Sequence, residues 1–248
     1  MLLQRLYFIY AAIVFVIFMI PVFLFAVVAS FFGNIKGGNA IYQACMLWGD
    51  VWFFLVGIRH RNIYETPLEK GRSYIFISNH ISYLDSPIIV KTFRQNIRPL
   101  GKVEMTKIPV FGFIYKNVIV TVDRASSANR SRSVQILKSI LSKGISVLVF
   151  PEGTFNLTHK PLKDFYDGAF RLAIETGTPI KPVLILDAHT RMHYETILSL
   201  NPGQSRSIFL EEVSVEGLKL TDLPELKTRV YNLMDAKLRT YHASWIKD

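Results

Sequence analysis

SYIFISNHISYLDSPIIVKTF, residues 73–93, changes its periodicity halfway along. Its first part, 73–78, is a short, uncharged run rich in branched and aromatic residues, which reads as a buried strand. Its last part, through Ile88 to Phe93, reads as a helix. A strand that yields to a helix across a polar turn is the unit from which α/β domains are built. The turn carries His80 and, five residues on, Asp85. On one continuous helix such a pair would stand about 140° apart and could not meet. Across a strand-to-helix turn it can: the histidine then lies at the carboxyl end of a strand, where α/β sites form, and the aspartate accepts a hydrogen bond from its far ring nitrogen. An imidazole is a competent base near neutral pH, and a carboxylate partner fixes its tautomer. Ser82 and Ser86 are poor nucleophile candidates because neither sits in a glycine-flanked elbow. Spacing alone is equally consistent with a structural pair at a helix start.

Outward from this segment the same alternation recurs. Further strands are expected at 117–122, 146–150, 179–186 and 207–215. Val134, Leu137, Ile140 and Leu141 mark a helical face that stops at Gly144. A second helix around Phe170 and Leu172 ends at Gly177, and a last one runs from Leu223 to Trp245. The expected fold is therefore α/β, a helix-flanked, partly parallel sheet.

Before this body comes a different kind of sequence. No charge occurs between Arg5 and Lys36, and the apolar run from Leu6 to Phe32 exceeds the core of a cleaved signal peptide. It reads as a retained membrane helix that tilts or kinks at Pro21. After GNIKGGN, 33–39, a second apolar stretch from Ala40 to Ile58 holds Asp50 among Trp48, Trp52, Phe53 and Phe54. A carboxylate at that point suits an interfacial or re-entrant helix, or a core helix, better than a clean span. Arg59, His60 and Arg61 close it as a cytoplasmic edge would. Residues 1–62 are thus expected to form a membrane-associated helical hairpin, with 63–248 as the catalytic domain. Composition agrees: 50% of residues are hydrophobic and only 19% charged, below the roughly 25% usual for soluble domains. A net charge of +10 suits an anionic partner. The single cysteine, Cys45, lies in the apolar stretch, so the catalytic part has neither a thiol nucleophile nor a zinc-cysteine cluster.

FPEGT, residues 150–154, follows the strand at 146–150 and so arrives at the same expected sheet edge as His80. Gly153 permits a close approach, while Glu152 and Thr154 offer an acceptor and a donor to a polyol. GKVEMTKIPVFGFIYKNVIVTVDR, 101–124, sets Lys102 before a short helical piece and Arg124 just past a strand, where both could hold a phosphate. Taken singly, each fits a solvated surface charge as well. As an ordered set, NHISYLD, GKVE with Pro109 and Gly112, VDR, FPEGT, and GAFRLA followed by PIKPV, these motifs resemble the glycerolipid acyltransferase family that includes bacterial 1-acylglycerol-3-phosphate acyltransferases. The resemblance covers about residues 70–186. It implies that His80 is a general base oriented by Asp85, and that Arg124, Glu152, Gly153 and Thr154, with Lys102 more weakly, shape the acceptor site. It implies a lysophospholipid acceptor and acyl-CoA or acyl-carrier protein as the co-substrate. Membrane lipids are the expected surroundings, at a bacterial inner membrane with the catalytic domain on the cytoplasmic face. No cofactor or metal is implied. Two departures concern the headgroup. Phe155 stands where the family commonly has arginine after the EGT triplet, and Asn117 or Val118 where it often has glycine. With these departures 1-acylglycerol-3-phosphate is the acceptor that the resemblance implies, and another lysophospholipid or an aminoacyl lipid fits as well.

Rival readings are weaker. His189 and His193 have the spacing of two metal ligands on a helix, but no glutamate lies between them as in a metalloprotease motif. The basic residues are scattered and match no nucleic-acid-binding pattern, so no nucleic-acid partner is expected. A non-catalytic lipid-binding protein would not need His80, Asp85 and Glu152 together.

Overall fold

The runs richest in branched apolar residues form the middle of a seven-stranded sheet. The computed structural model describes residues 2–123 and 127–247. In chain order the elements are α1 (Leu2–Ser30), α2 (Gly38–Leu55), β1 (Ile58–Tyr64), β2 (Ile75–Ser78), α3 (Asp85–Thr92), β3 (Ile97–Lys102), α4 (Phe111–Val118) and β4 (Val120–Val122). They continue with α5 (Ser127–Leu141), β5 (Ser146–Val149), α6 (Gly168–Thr176), β6 (Ile180–Ile185), the single turn α7 (Ala188–Arg191), β7 (Gly203–Phe209) and α8 (Leu223–Thr240). The strand order is β1-β7-β6-β2-β5-β3-β4. All neighbours pair in parallel except β6 with β7. Strands β2, β5 and β6 are buried at every position, as strands covered by helices on both faces must be. The helix-flanked, partly parallel α/β sheet expected from the alternation is the fold, with all but one pairing parallel.

Several boundaries differ from the sequence expectation. The run 117–122 is divided, because α4 continues through Val118 and leaves only Val120–Val122 to pair with β3. The strand expected at 207–215 starts earlier, at Gly203, and ends at Phe209, after which Val213 makes an isolated bridge to Ile180. The last helix stops at Thr240, yet Trp245 still turns back into the core, its indole donating to the Pro161 carbonyl. Gly177 caps α6 in the left-handed conformation, as its position after the apolar face suggests.

The amino-terminal helices form an antiparallel pair joined by a π-helical turn at Gly33–Gly37. Its rungs are hydrogen bonds from Tyr7 to the Val56 carbonyl, from Trp52 to that of Ala11 and from Trp48 to that of Phe15. Ala11, Ala26 and Ala29 are buried and keep the pair close. The pair is fastened to the sheet domain at both ends of α2. At one end the buried Arg98 of β3 donates to the carbonyls of Asn34 and Ile35 and to the Asn39 side chain. At the other, Asp50 pairs with Lys91 and Arg94. Strand β1 follows directly and straddles residue 62 as an edge strand of the sheet. The far side of α1 is open: Leu6, Ile9, Ile13, Ile17, Leu24 and Val28 are all exposed.

Candidate active site

The backbone leaves β2 through Asn79, a buried side chain that accepts from the Ile185 amide and donates to the Ile185 carbonyl. This tie to β6 fixes where the next residue, His80, emerges. Asp85 opens α3 five residues later and is fully buried. Its Oδ2 accepts three hydrogen bonds: from His80 Nδ1 at 2.7 Å, from the Ile81 amide at 2.8 Å and from the Ser82 amide at 3.0 Å. The carboxylate only accepts, so Nδ1 carries the proton and Nε2 is left with its lone pair. Among the described residues Nε2 has no hydrogen-bond partner. The bonds from the two amides hold the carboxylate in place independently of the histidine, which presets the ring's orientation.

FPEGT meets this turn from β5. Glu152 is buried and binds no solvent-facing group: Oε1 accepts from the His80 amide and Oε2 from the Lys163 amide, each at 2.9 Å. Burial pushes its pKa up to about 7, the two amide donors oppose that, and the nearby Asp85 charge adds to it. Gly153 takes a left-handed φ of 74°, a conformation that favours glycine there. The Thr154 hydroxyl accepts from Lys163 Nζ at 2.7 Å. Asn156 is buried, donates its amide to the His80 carbonyl, and organises the loop to Pro161 through its side chain. Two aromatic rings enclose the imidazole: Phe150 stacks at a centroid distance of 4.3 Å, and Phe155 meets it edge-on at 4.4 Å.

These residues line an open groove of about 540 Å³. His80, Lys102, Gly153 and Thr154, four of the positions marked out in the sequence, face one space, and Lys163 joins them there. Asp85 and Glu152 stand behind it. Arg124 lies outside the described residues. A smaller apolar cavity of about 100 Å³ shares Ser86, Ile89, Pro99, Tyr115 and Ile119 with the groove and continues under the helical pair to Cys45 and Trp48. The rings of His189 and His193 lie 4.6 Å apart, and burial lowers the His189 pKa. Among the described residues no group of three or more His, Cys, Asp or Glu side chains is gathered for a metal. Sequence reasoning missed Lys163 and the aromatic enclosure. Lys163 stands in no motif, and ring contacts across loops leave no periodic signal.

A histidine held by a carboxylate at the carboxyl edge of a mostly parallel sheet, with its free ring nitrogen on a residue that lines an open groove, is an arrangement able to take a proton from a hydroxyl or amine. The profile of the Acyltransferase family matches residues 59–186, just over half of the 248, and the chain belongs to that family. It is 30% identical over 168 residues to an uncharacterized acyltransferase of Schizosaccharomyces pombe, covering 65% of this chain and 59% of that protein. It is 28% identical over 185 residues to the 1-acyl-sn-glycerol-3-phosphate acyltransferase alpha of Ovis aries, covering 73% and 63%. The chain thus spans about three fifths of the length of these curated relatives. Its fold is shared by the crystal structure of the 1-acyl-sn-glycerophosphate acyltransferase PlsC of Thermotoga maritima, with a TM-score of 0.73 at 24% identity over 99% of this chain and 98% of that one.

Proposed function

We propose that the protein transfers a fatty acyl group from acyl-CoA or acyl-carrier protein to the free hydroxyl of a lysophospholipid, with 1-acylglycerol-3-phosphate as acceptor and phosphatidic acid as product. The observation that carries this is the state of His80: Nδ1 is committed to Asp85, and Nε2 is unpartnered on a residue lining the groove. In this mechanism Nε2 takes the proton of the acceptor hydroxyl as its oxygen attacks the thioester carbonyl carbon. The new C–O bond forms, the C–S bond breaks, and the departing sulfur takes the proton back from the imidazolium. No acyl-enzyme is needed. Asp85 steadies the imidazolium, and its fixed hydrogen bonds save reorganisation in the transition state.

The groove is chemically divided in a way that fits such a substrate pair. Lys102, Thr154 and Lys163 offer positive charge and a hydroxyl to a phosphate headgroup. Ile89, Pro99 and Ile119 lead to the apolar cavity, which suits an acyl chain. The exposed apolar side of α1 would sit in one leaflet, since its other side is taken up by α2 and the domain, and so hold the groove at the lipid surface. Donor thioesters are cytosolic, so the groove would open on the cytoplasmic face, that of the inner membrane in a bacterium.

The test is acyl transfer by the purified protein from labelled acyl-CoA and acyl-carrier protein to a panel of lysolipids. His80→Ala should lower kcat by roughly 10²–10⁴, and Asp85→Asn by up to about 10⁴ through the wrong tautomer. Undiminished transfer by His80→Ala would falsify the mechanism.

A further inference from the structure

We infer that Lys163, which lies in none of the acyltransferase motifs, is the anion anchor that selects a phosphate-bearing acceptor. The inference rests on the acyl-transfer reading and adds to it the residue that chooses the headgroup. Lys163 is half-buried, and among the described residues its ammonium has one partner, the neutral Thr154 hydroxyl at 2.7 Å. The Glu152 charge acts on Lys163, but both oxygens of that carboxylate are taken by backbone amides, so the ammonium makes no ion pair and keeps room for an anion supplied by a ligand. The groove it faces offers none: two lysines, Lys102 and Lys163, line it, and not one aspartate or glutamate does. Lys102 at the end of β3 is likewise without a partner among the described residues. Two ammonium groups that make no ion pair among the described residues, and a hydroxyl, around one space match a phosphate monoester in charge and hydrogen-bonding capacity.

A lysine side chain is flexible, so its use as a selector depends on where its backbone is held. Here the Lys163 amide and the His80 amide are bound to the two oxygens of one carboxylate, Glu152. The backbones that carry the anchor and the base are therefore tied to one group, which suits a ligand whose phosphate and free hydroxyl belong to the same small polyol. Phe155, packed edge-on to His80 and to Tyr83, contributes an apolar wall at this part of the groove and no charge. Among the described residues that leaves the recognition of the anion to the lysines.

The experiment compares the full-length wild type with Lys163→Met and Lys163→Arg, using 1-acylglycerol-3-phosphate, the uncharged 1-acylglycerol, and glycerol 3-phosphate as a soluble competitor. A charge-assisted hydrogen bond of this kind corresponds to roughly 10- to 100-fold. Lys163→Met is therefore expected to raise KM for the phosphate-bearing acceptor by about that factor, with a smaller change in kcat. Its preference for that acceptor over the uncharged one should fall equally, glycerol 3-phosphate should inhibit less well, and Lys163→Arg should recover most of the loss. An unchanged acceptor KM with unchanged inhibition overturns the assignment. So does a rise confined to the KM of the donor, which would make Lys163 a donor contact. If the wild type transfers to neither acceptor, the acyl-transfer reading itself falls. Calorimetric titration of glycerol 3-phosphate into wild type and Lys163→Met then still decides the anion site.

Discussion

The Glu152 carboxylate lies 2% exposed between two amide donors, and its ionisation is a contest between their hydrogen bonds and the loss of water. Burial wins, with Asp85 adding repulsion, and the pKa stands at about 7 against an ordinary 4.5. Because the folded value is raised, the folded state holds the proton more tightly than the unfolded chain. Glu152 therefore contributes stability that is full below about pH 4.5, declines as pH rises toward 7, and stays constant above it. The swing is on the order of 3 kcal/mol. Denaturant unfolding in detergent should show the lead of wild type over Glu152→Gln shrinking by that order between pH 4.5 and 8; a gap independent of pH would refute the raised pKa. The residue also shows how far sequence reasoning reaches. His80 and Asp85 announce themselves because their geometry is local, a turn of five residues. Glu152 stands out within FPEGT, but its partners are backbone amides 72 and 11 positions away. Its bracing contacts, and Lys163 with them, carry no mark in the sequence.

Among the elements, those whose burial is two-sided were legible and those at the margins were not. Strands β2, β5 and β6 read directly as uninterrupted apolar runs. Strand β1, IRHRNIY, reads as a basic cap because an edge strand points alternate residues to solvent, here Arg59 and Arg61. Strand β3, IRPLGK, hides behind its proline and glycine, and behind a charge, Arg98, that looks like surface and is buried. Two of the polar ties that join the helical pair to the domain should differ in weight. Arg98 is 3% exposed and satisfies two carbonyls and an amide oxygen. Arg98→Met strands these acceptors and should cost about 2–4 kcal/mol, with faster proteolysis of the 31–39 turn. The Asp50 carboxylate is 39% exposed in its pairs with Lys91 and Arg94. Asp50→Asn should cost no more than about 1 kcal/mol. Thermal melts of the two variants check the order; equal losses would mean that Arg98 is no special fastening.

For the molecule as a whole, the open question is what covers the outer face of α1. The helix is 29 residues long, about 43 Å at the usual rise, and only 22% of its most apolar stretch is buried by the rest of the protein. It is hydrogen-bonded and packed to α2 from Tyr7 through Phe15, and its other end meets the Phe113 ring of α4 through Phe23. A helix held this way would have to leave its partner to cross a bilayer alone, yet beyond Arg5 its free side offers water little besides Tyr10. The single leaflet proposed above would satisfy both conditions. Basic residues add attraction to anionic lipid of about 1 kcal/mol each near the surface, and salt screens this within about 10 Å. Insertion of an apolar side chain contributes about 1.5–3 kcal/mol and is not screened. High salt should accordingly weaken vesicle binding without abolishing it. Leu24 and Val28 are each 60% exposed on this face, so aspartate there disturbs no packing. Leu24→Asp and Val28→Asp should each reduce flotation with vesicles at least tenfold, by roughly 1.4 kcal/mol or more apiece, with an unchanged melting temperature in detergent. Transfer to a long-chain acceptor in vesicles should fall with flotation, while transfer to a short-chain soluble acceptor persists. Flotation that survives both substitutions but vanishes in high salt would mean that charge holds the protein to the lipid, and that α1 covers its apolar face against something else.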